Sequence, residues 1–383
     1  MRKLACLLLL IAIAGAQAAS GLAATNVTVS ELDQMLARLR QERDGKAASE
    51  ITGLKLTERA NSAWLAKWES GLKGDRAREA LMAVVDASAF LDPPAAERPA
   101  LAVPDTAAQQ QMVARTTEYV RQTLRGMPNF FALRTTSAFA VGTEEKLDSA
   151  QLTNSLMQKQ RGPKFEWKAL GPGTSGHGGE PQLFWLGTAA QQVAYRGGFE
   201  EADSAANSGA TSSNLLMTTV GEFGSVLELF LVDIEPDKLI WDHWEQGAAG
   251  PLAVFRYSVP GERSHFGYDA PDRQHEHPAY HGEVAINAVD GSIWRITILA
   301  SSSEPGFVDE SSILVEFSPT EIGRVSYVCP VRGVAMLRYF DTFEYANTLH
   351  TPVPYQTFLN DVSFTKYLLL RSESRIVPGA SKP

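Results

Sequence analysis

The spacing of apolar residues changes once along this 383-residue chain, and that change constrains the fold more than any single motif. Up to Gly126 the apolar residues recur every three or four positions, as on one side of a helix. After Pro128 they alternate, in short runs of β-branched and aromatic residues divided by turn residues. Strands that follow one another without intervening helices pair mostly antiparallel, so the chain reads as α+β: helices first, then a mostly antiparallel sheet.

Within the helical part, Ser30 with Asp33 three residues later marks a capping-box start, followed by Leu32, Met35, Leu36 and Leu39 at one-face spacing. A second helix is predicted from Thr57, carrying Trp64, Leu65, Trp68 and Leu72, and a third from Asp75, carrying Ala80, Leu81, Val84, Val85 and Leu91. Residues 30–91 form this helical region, and its Trp and Leu side chains read as core. Residues 92–104 contain Pro93, Pro94, Pro99 and Pro104 and form a Pro/Ala-rich linker biased to extended backbone. Asp105 then caps a longer helix whose Met112, Val113, Val120, Leu124 and Met127 face the sheet that follows, and Gly126 with Pro128 ends it.

Strands are predicted over 129–139, 164–170, 183–186, 191–196, 238–245 and 252–259, and again over 283–289, 292–300, 312–318, 325–331, 334–340 and 362–369. The hairpin at Asp290-Gly291 can be registered. A three-residue loop, Val289-Asp290-Gly291 with Gly291 left-handed, pairs Ile286 with Trp294 and Val284 with Ile296 and buries one coherent side. One short apolar helix, 221–232, interrupts the strands and carries Phe223, Val226, Leu227, Phe230 and Leu231. The Gly/Ser/Ala/Thr-rich stretches 142–162, 171–179 and 200–214 read as loops.

The compartment is read from residues 1–18. Arg2-Lys3, an apolar run from Leu4 to Ala14 and the small-residue site Ala16-Gln17-Ala18 have the pattern of a secretory signal peptide, so the mature chain is expected in the periplasm or outside the cell. A spanning helix needs about 20 apolar residues. The leader's run is shorter and no later segment stays apolar that long, so no transmembrane segment is expected in the mature chain. Loss of Arg2 and Lys3 leaves 33 basic against 44 acidic residues, a net charge of −11, which argues against nucleic acid as a partner. Cys6 leaves with the leader, so Cys329 has no partner for a disulfide and reads as a buried strand residue.

The sharpest chemical feature is the segment His275-Glu276-His277-Pro278-Ala279-Tyr280-His281-Gly282-Glu283. Imidazoles and carboxylates suit zinc, and His275, His277, His281 and Glu283 share one parity of an extended strand, so together they are candidate metal ligands. The Gly171–Gly179 stretch lacks the Lys-Ser/Thr ending of a phosphate loop, and no G-x-S-x-G elbow is present. Trp241-Asp242-His243-Trp244-Glu245 offers acid and base, but alternation places Asp242 and His243 on opposite sides.

The order of long helix, strands, short apolar helix and hairpins, with the phrase His281-Gly282-Glu283-Val284-Ala285-Ile286-Asn287-Ala288-Val289-Asp290-Gly291-Ser292-Ile293, resembles the lipoprotein-carrier superfold of LolA, LolB and RseB. The closing stretch Leu359-Asn360-Asp361-Val362-Ser363-Phe364-Thr365-Lys366-Tyr367 is similar to the last strand of such domains. Through Leu91-Asp92-Pro93-Pro94 and Pro128-Asn129-Phe130-Phe131-Ala132 the chain also looks like a family of exported bacterial proteins that brings no activity with it. The superfold implies a curved half-barrel over residues 105–375, covered by the long and the short helix, with residues 376–383 as a flexible tail. It further implies an apolar cavity for acyl chains or a lipid-bearing peptide, lined here by Phe223, Leu227, Phe230, Leu231, Trp294 and Ile296. The leading expectation is a non-enzymatic envelope protein, without a cofactor, that binds a lipid, a lipoprotein or an envelope protein. The alternatives are a zinc-dependent hydrolase using the 275–283 segment and a structural or interaction module presenting Trp64 and Trp68.

Overall fold

The computed structural model describes residues 24–142, 182–197, 199–202, 217, 219, 222, 224–269, 275–301, 308–340 and 355–370. The predicted strand at 164–170, the leader, the tail and Phe223 lie outside them. Two short parallel strands, β1 (Thr25–Val27) and β2 (Leu54–Leu56), enclose helices α1 (Val29–Leu39) and α2 (Asp44–Thr52), and α3 (Ser62–Glu69) and α4 (Asp75–Ala87) follow. The capping box of α1 is Thr28 with Glu31, not Ser30 with Asp33. Asp33 is engaged elsewhere: it accepts from the Trp68 indole N–H at 2.8 Å and pairs with Lys67 at 2.9 Å. α3 starts later than Thr57, because the Thr57 amide still donates to the Val27 carbonyl and Asn61 supplies the cap. Leu32, Leu36, Ile51, Trp68, Leu81 and Val85 form the buried core of this region.

The linker is pinned on two sides. Trp64 donates its indole N–H to Glu97 at 2.6 Å, and Trp244 donates to the Ala102 carbonyl at 2.9 Å. Helix α5 (Thr106–Gly126) begins at Asp105, whose carboxylate accepts from the Ala108 amide at 2.8 Å.

The sheet strands are β3 (Phe130–Gly142), β4 (Gln182–Arg196), β5 (Phe199–Ala202), β6 (Ile240–Gly247), β7 (Gly250–Val259), β10 (Tyr280–Asn287), β11 (Ile293–Ser301), β12 (Val308–Ile322), β13 (Val325–Phe340) and β14 (Tyr355–Leu369). They lie in the order β5-β4-β3-β14-β13-β12-β11-β10-β7-β6, antiparallel throughout and open at its edges. The predicted α+β architecture is therefore present. A side hairpin pairs β8 (Tyr268–Asp269) with β9 (His275–Glu276). The first sheet strand pairs with the last, and the chain crosses from edge β5 to edge β6 through helix α6 (Ser225–Val232). β4 and β13 are single strands where the sequence suggests two each. β13 is interrupted only by a bulge at Val331, next to Pro330, which faces Phe317 and withholds a ladder donor.

The Asp290-Gly291 hairpin follows the predicted register only in part. Gly291 is left-handed (φ 78°) and Val284 faces Ile296, but Ile286 faces Ile293, with a bulge at Trp294. Trp294 turns to the opposite side of the sheet, against Leu252, Val254 and Ala285, and its indole donates to Ser292 at 3.0 Å. The turn lies against α5: a Cβ on Gly291 would sit 2.7 Å from the Arg115 backbone carbon.

Each side of the sheet has its own cover. On one, Val113 and Val120 of α5 and Leu227 and Phe230 of α6 pack on Phe255, Val284, Ile296 and Val315. On the other, Ala83 and Ala89 of the helical region pack on Phe139, Leu314, Val334 and Leu359. The helical region is thus docked on the sheet.

Candidate functional site

The α5 side brings together four of the six residues expected to line an apolar cavity. Leu227 and Phe230 are each 3% exposed and share one cluster with Ile296, and Leu231 packs against it half-buried. Trp294 is on the other side of the sheet. The backbone leading into α6 is tied down by polar groups. Buried Arg134 of β3 donates to the Thr219 hydroxyl at 2.7 Å and to Glu222 at 2.9 Å, with Glu200 at 4.0 Å, and Asn360 of β14 donates to the Met217 carbonyl at 2.9 Å. Among the described residues neither Arg134 Nε nor Glu222 Oε2 has a hydrogen-bond partner.

The α4 side carries charge where its strands would bury apolar groups. Arg295, Glu316 and Arg332 lie in register on β11, β12 and β13, so opposite charges alternate across three strands. Arg295 forms a fork to Glu245, at 2.5 and 2.9 Å, and reaches Glu283 at 3.3 Å; Arg59 of the helical region adds a 2.6 Å bond to Glu245. Arg332 bonds Asp86 of α4 and, at 2.8 Å, Asp361 of β14, with Glu316 at 3.6 Å. Burial alone would raise the Glu245 carboxyl, but Arg295, the His243 ring 3.6 Å away and Arg59 outweigh it and hold it well below the usual carboxylate range. Asp86 goes the other way: full burial and then the Asp361 charge raise it, against the pull of Arg332. A register shift between Trp241 and His243 corrects the expectation that Asp242 and His243 diverge, since His243 Nδ1 lies 2.7 Å from Asp242.

Of the proposed metal ligands, His277 has Nδ1 3.2 Å from the Phe266 carbonyl, His281 is exposed on β10, and Glu283 lies 3.3 Å from Arg295 and 3.7 Å from Arg256. The backbone of His275 pairs with Asp269; its side chain is outside the described residues. Among the described residues no three His, Cys, Asp or Glu side chains converge to hold a metal ion. A different histidine meets a carboxylate: His265 Nδ1 lies 2.5 Å from buried Asp233, to which Tyr280 also donates at 2.7 Å. Cys329 is buried, and burial pushes its thiol up to about 12.

Between the helical region and the sheet lies a cavity of about 340 Å³, with Arg59, Phe90, Leu91, Arg256, Glu283 and Leu299 in its walls. Its floor is a break in the β10–β11 ladder, where the Tyr257 hydroxyl donates to the Thr297 carbonyl at 2.5 Å and the Glu283 amide donates to the Thr297 hydroxyl. Gly282 permits this approach, because a Cβ there would lie 1.9 Å from that carbonyl oxygen. Among the described residues no helix is long and apolar enough to cross a membrane. Comparison with family models, with curated proteins and with solved structures finds no match.

Proposed function

We propose that this is an exported, non-enzymatic binding protein that holds an apolar chain, that of a lipid or a lipid-modified protein of the cell envelope, between the sheet and α6. The supporting observation is the Arg134 latch. α6 presents Leu227 and Phe230 to the sheet, while the backbone leading into it is held by the buried Arg134–Glu222 ion pair. Lifting this segment carries Glu222 away and uncovers Arg134, so both charges return to water together and neither is left buried without a partner, the case in which a broken pair is most costly. The sheet's ladders run from strand to strand and use no group of α6, so lifting α6 breaks no strand pairing. The resemblance to the lipoprotein carriers points the same way.

The test is mass spectrometry of organic extracts from the full chain purified from its exported form. The wild type is expected to yield lipid, and Leu227→Asp to yield at least tenfold less while keeping the strand signature in circular dichroism. Full lipid retention by a folded Leu227→Asp variant would overturn the proposal.

A further inference from the structure

We infer that the cleft between the helical region and the sheet is a second binding site, for a small monoanionic carboxylate with a short apolar body. It is on the opposite side of the sheet from α6 and does not rest on the lipid reading. About 340 Å³ is near the lower end of the range of small-molecule sites, roughly 300–1,000 Å³, so the cleft takes a compact ligand and not a long acyl chain.

The charge of the ligand follows from which wall groups are already engaged. Glu283 is drawn to Arg295 at 3.3 Å, and Asp92, also in the wall, pairs with Arg98 at 3.0 Å. The cations are less fully used. Arg59, whose side chain is 4% exposed, spends Nη2 on Glu245, while Nη1 makes only a 3.5 Å contact to the Leu91 carbonyl. Arg256 pairs through Nη2 with Asp242 at 3.0 Å and stands 3.7 Å from Glu283 through Nε. A guanidinium carries five N–H donors in a planar fork that matches a carboxylate, so the two arginines keep donors to offer.

Anion class is decided by the same walls. Two arginines face two carboxylates, so a dianion such as a phosphate gains no net attraction over a carboxylate, while its desolvation cost, which grows with the square of the charge, is larger. Phe90, Leu91 and Leu299 supply an apolar wall for the ligand's body, and the helical region supplies three of these groups, Arg59, Phe90 and Leu91. Occupancy would therefore bridge the helical region to β7, β10 and β11.

Octanoate is the probe, titrated into the full-length mature chain by calorimetry, with octanol as its neutral isostere and octylamine as its cationic one. The expectation is saturable one-to-one binding of octanoate, at least tenfold tighter than either isostere, and at least tenfold weakening in Arg256→Gln. Arg256 is chosen because its side chain is half exposed, whereas Arg59→Gln strips a partner from buried Glu245 and can disturb folding. Methyl NMR locates the ligand: Leu91 and Leu299 should shift, and Leu227 should not. Equal affinity for octanol, unchanged affinity in Arg256→Gln, or shifts confined to Leu227 would each overturn the inference. The last outcome would place the carboxylate beneath α6 and leave the lipid reading standing.

Discussion

On the α5 side of the sheet the cover is apolar: α5 and α6 meet Phe255, Val284 and Ile296 through side chains that have no preferred partner. On the α4 side a smaller apolar patch is joined by Arg59, Asp86, Glu245, Arg295, Glu316, Arg332 and Asp361, each nearly or fully out of solvent. Apolar contact is non-directional, so the first interface can exchange one greasy neighbour for another. Charge networks tolerate few geometries, because a carboxylate left buried without its partner is costly. The difference suits the proposed exchange to one side of the sheet and fixed docking of the helical region to the other.

The largest effect should come from the centre of the network. Arg332→Met leaves Asp86 and Asp361 buried without their common cation, and the expected loss is about 3–5 kcal/mol, read as a lower urea midpoint. Replacing two of its carboxylates as well, in Arg332→Met/Asp86→Leu/Asp361→Leu, should recover most of that loss, because of the carboxylates around Arg332 only Glu316 then remains, opposite Arg295 in the ladder. A loss under about 1 kcal/mol in the single variant would mean that apolar contact, not charge, fixes the docking.

The contrast between the two sides was only half visible in the sequence. Period-two alternation located the long strands, but not β5, which runs into a stretch that reads as a loop, and the 3.6-residue period located α1, α4 and α5, since those signals depend on residues close in the chain. α2 was missed because only Ala47 and Ile51 mark its buried side. The register at Trp294 was missed because a bulge reverses parity without changing composition. Leu227, Phe230 and Ile296 were legible as an apolar set, but the Arg134 latch was not, because its partners are 85 and 88 residues away. The network had a faint local sign. Arg295, Glu316 and Arg332 each interrupt a strand of apolar residues, as in Ile293-Trp294-Arg295-Ile296, and a charge in such a place needs a partner that only the pairing of β11, β12 and β13 identifies.

The second effect is one of pH, and the two halves of the network should respond with opposite sign. Glu245 is depressed in the folded state, so its contribution is present above the unfolded value of about 4 and is lost as pH falls through its lower folded value. Asp86, packed against Arg332 and Asp361, is raised, so its contribution is present below about pH 4 and is lost as pH rises through the raised value. Thermal midpoints across the pH range should fall at each end. In Asp86→Asn the loss on the alkaline side should disappear, at about 1.4 kcal/mol for each unit by which Asp86 was raised, while the acid loss remains. If Asp86→Asn keeps the wild-type profile, protonation at this corner is not linked to folding.

The smallest effect tests whether the two sides are energetically separate. Asp105 caps α5 through a bond to the Ala108 amide, and α5 packs on the apolar side of the sheet, at Val113 and Val120 among others. Asp105→Ala should cost about 1 kcal/mol, the ordinary value of a lost N-cap. No partner of Asp105 belongs to the Arg332 network, so the double variant Asp105→Ala/Arg332→Met should lose the sum of the two single losses to within about 0.5 kcal/mol. A larger discrepancy in the urea midpoints would show that the sheet transmits strain from one cover to the other. Binding beneath α6 would then also loosen or tighten the helical region, and the assignment of exchange to one side and fixed docking to the other would have to be replaced by a coupled pair.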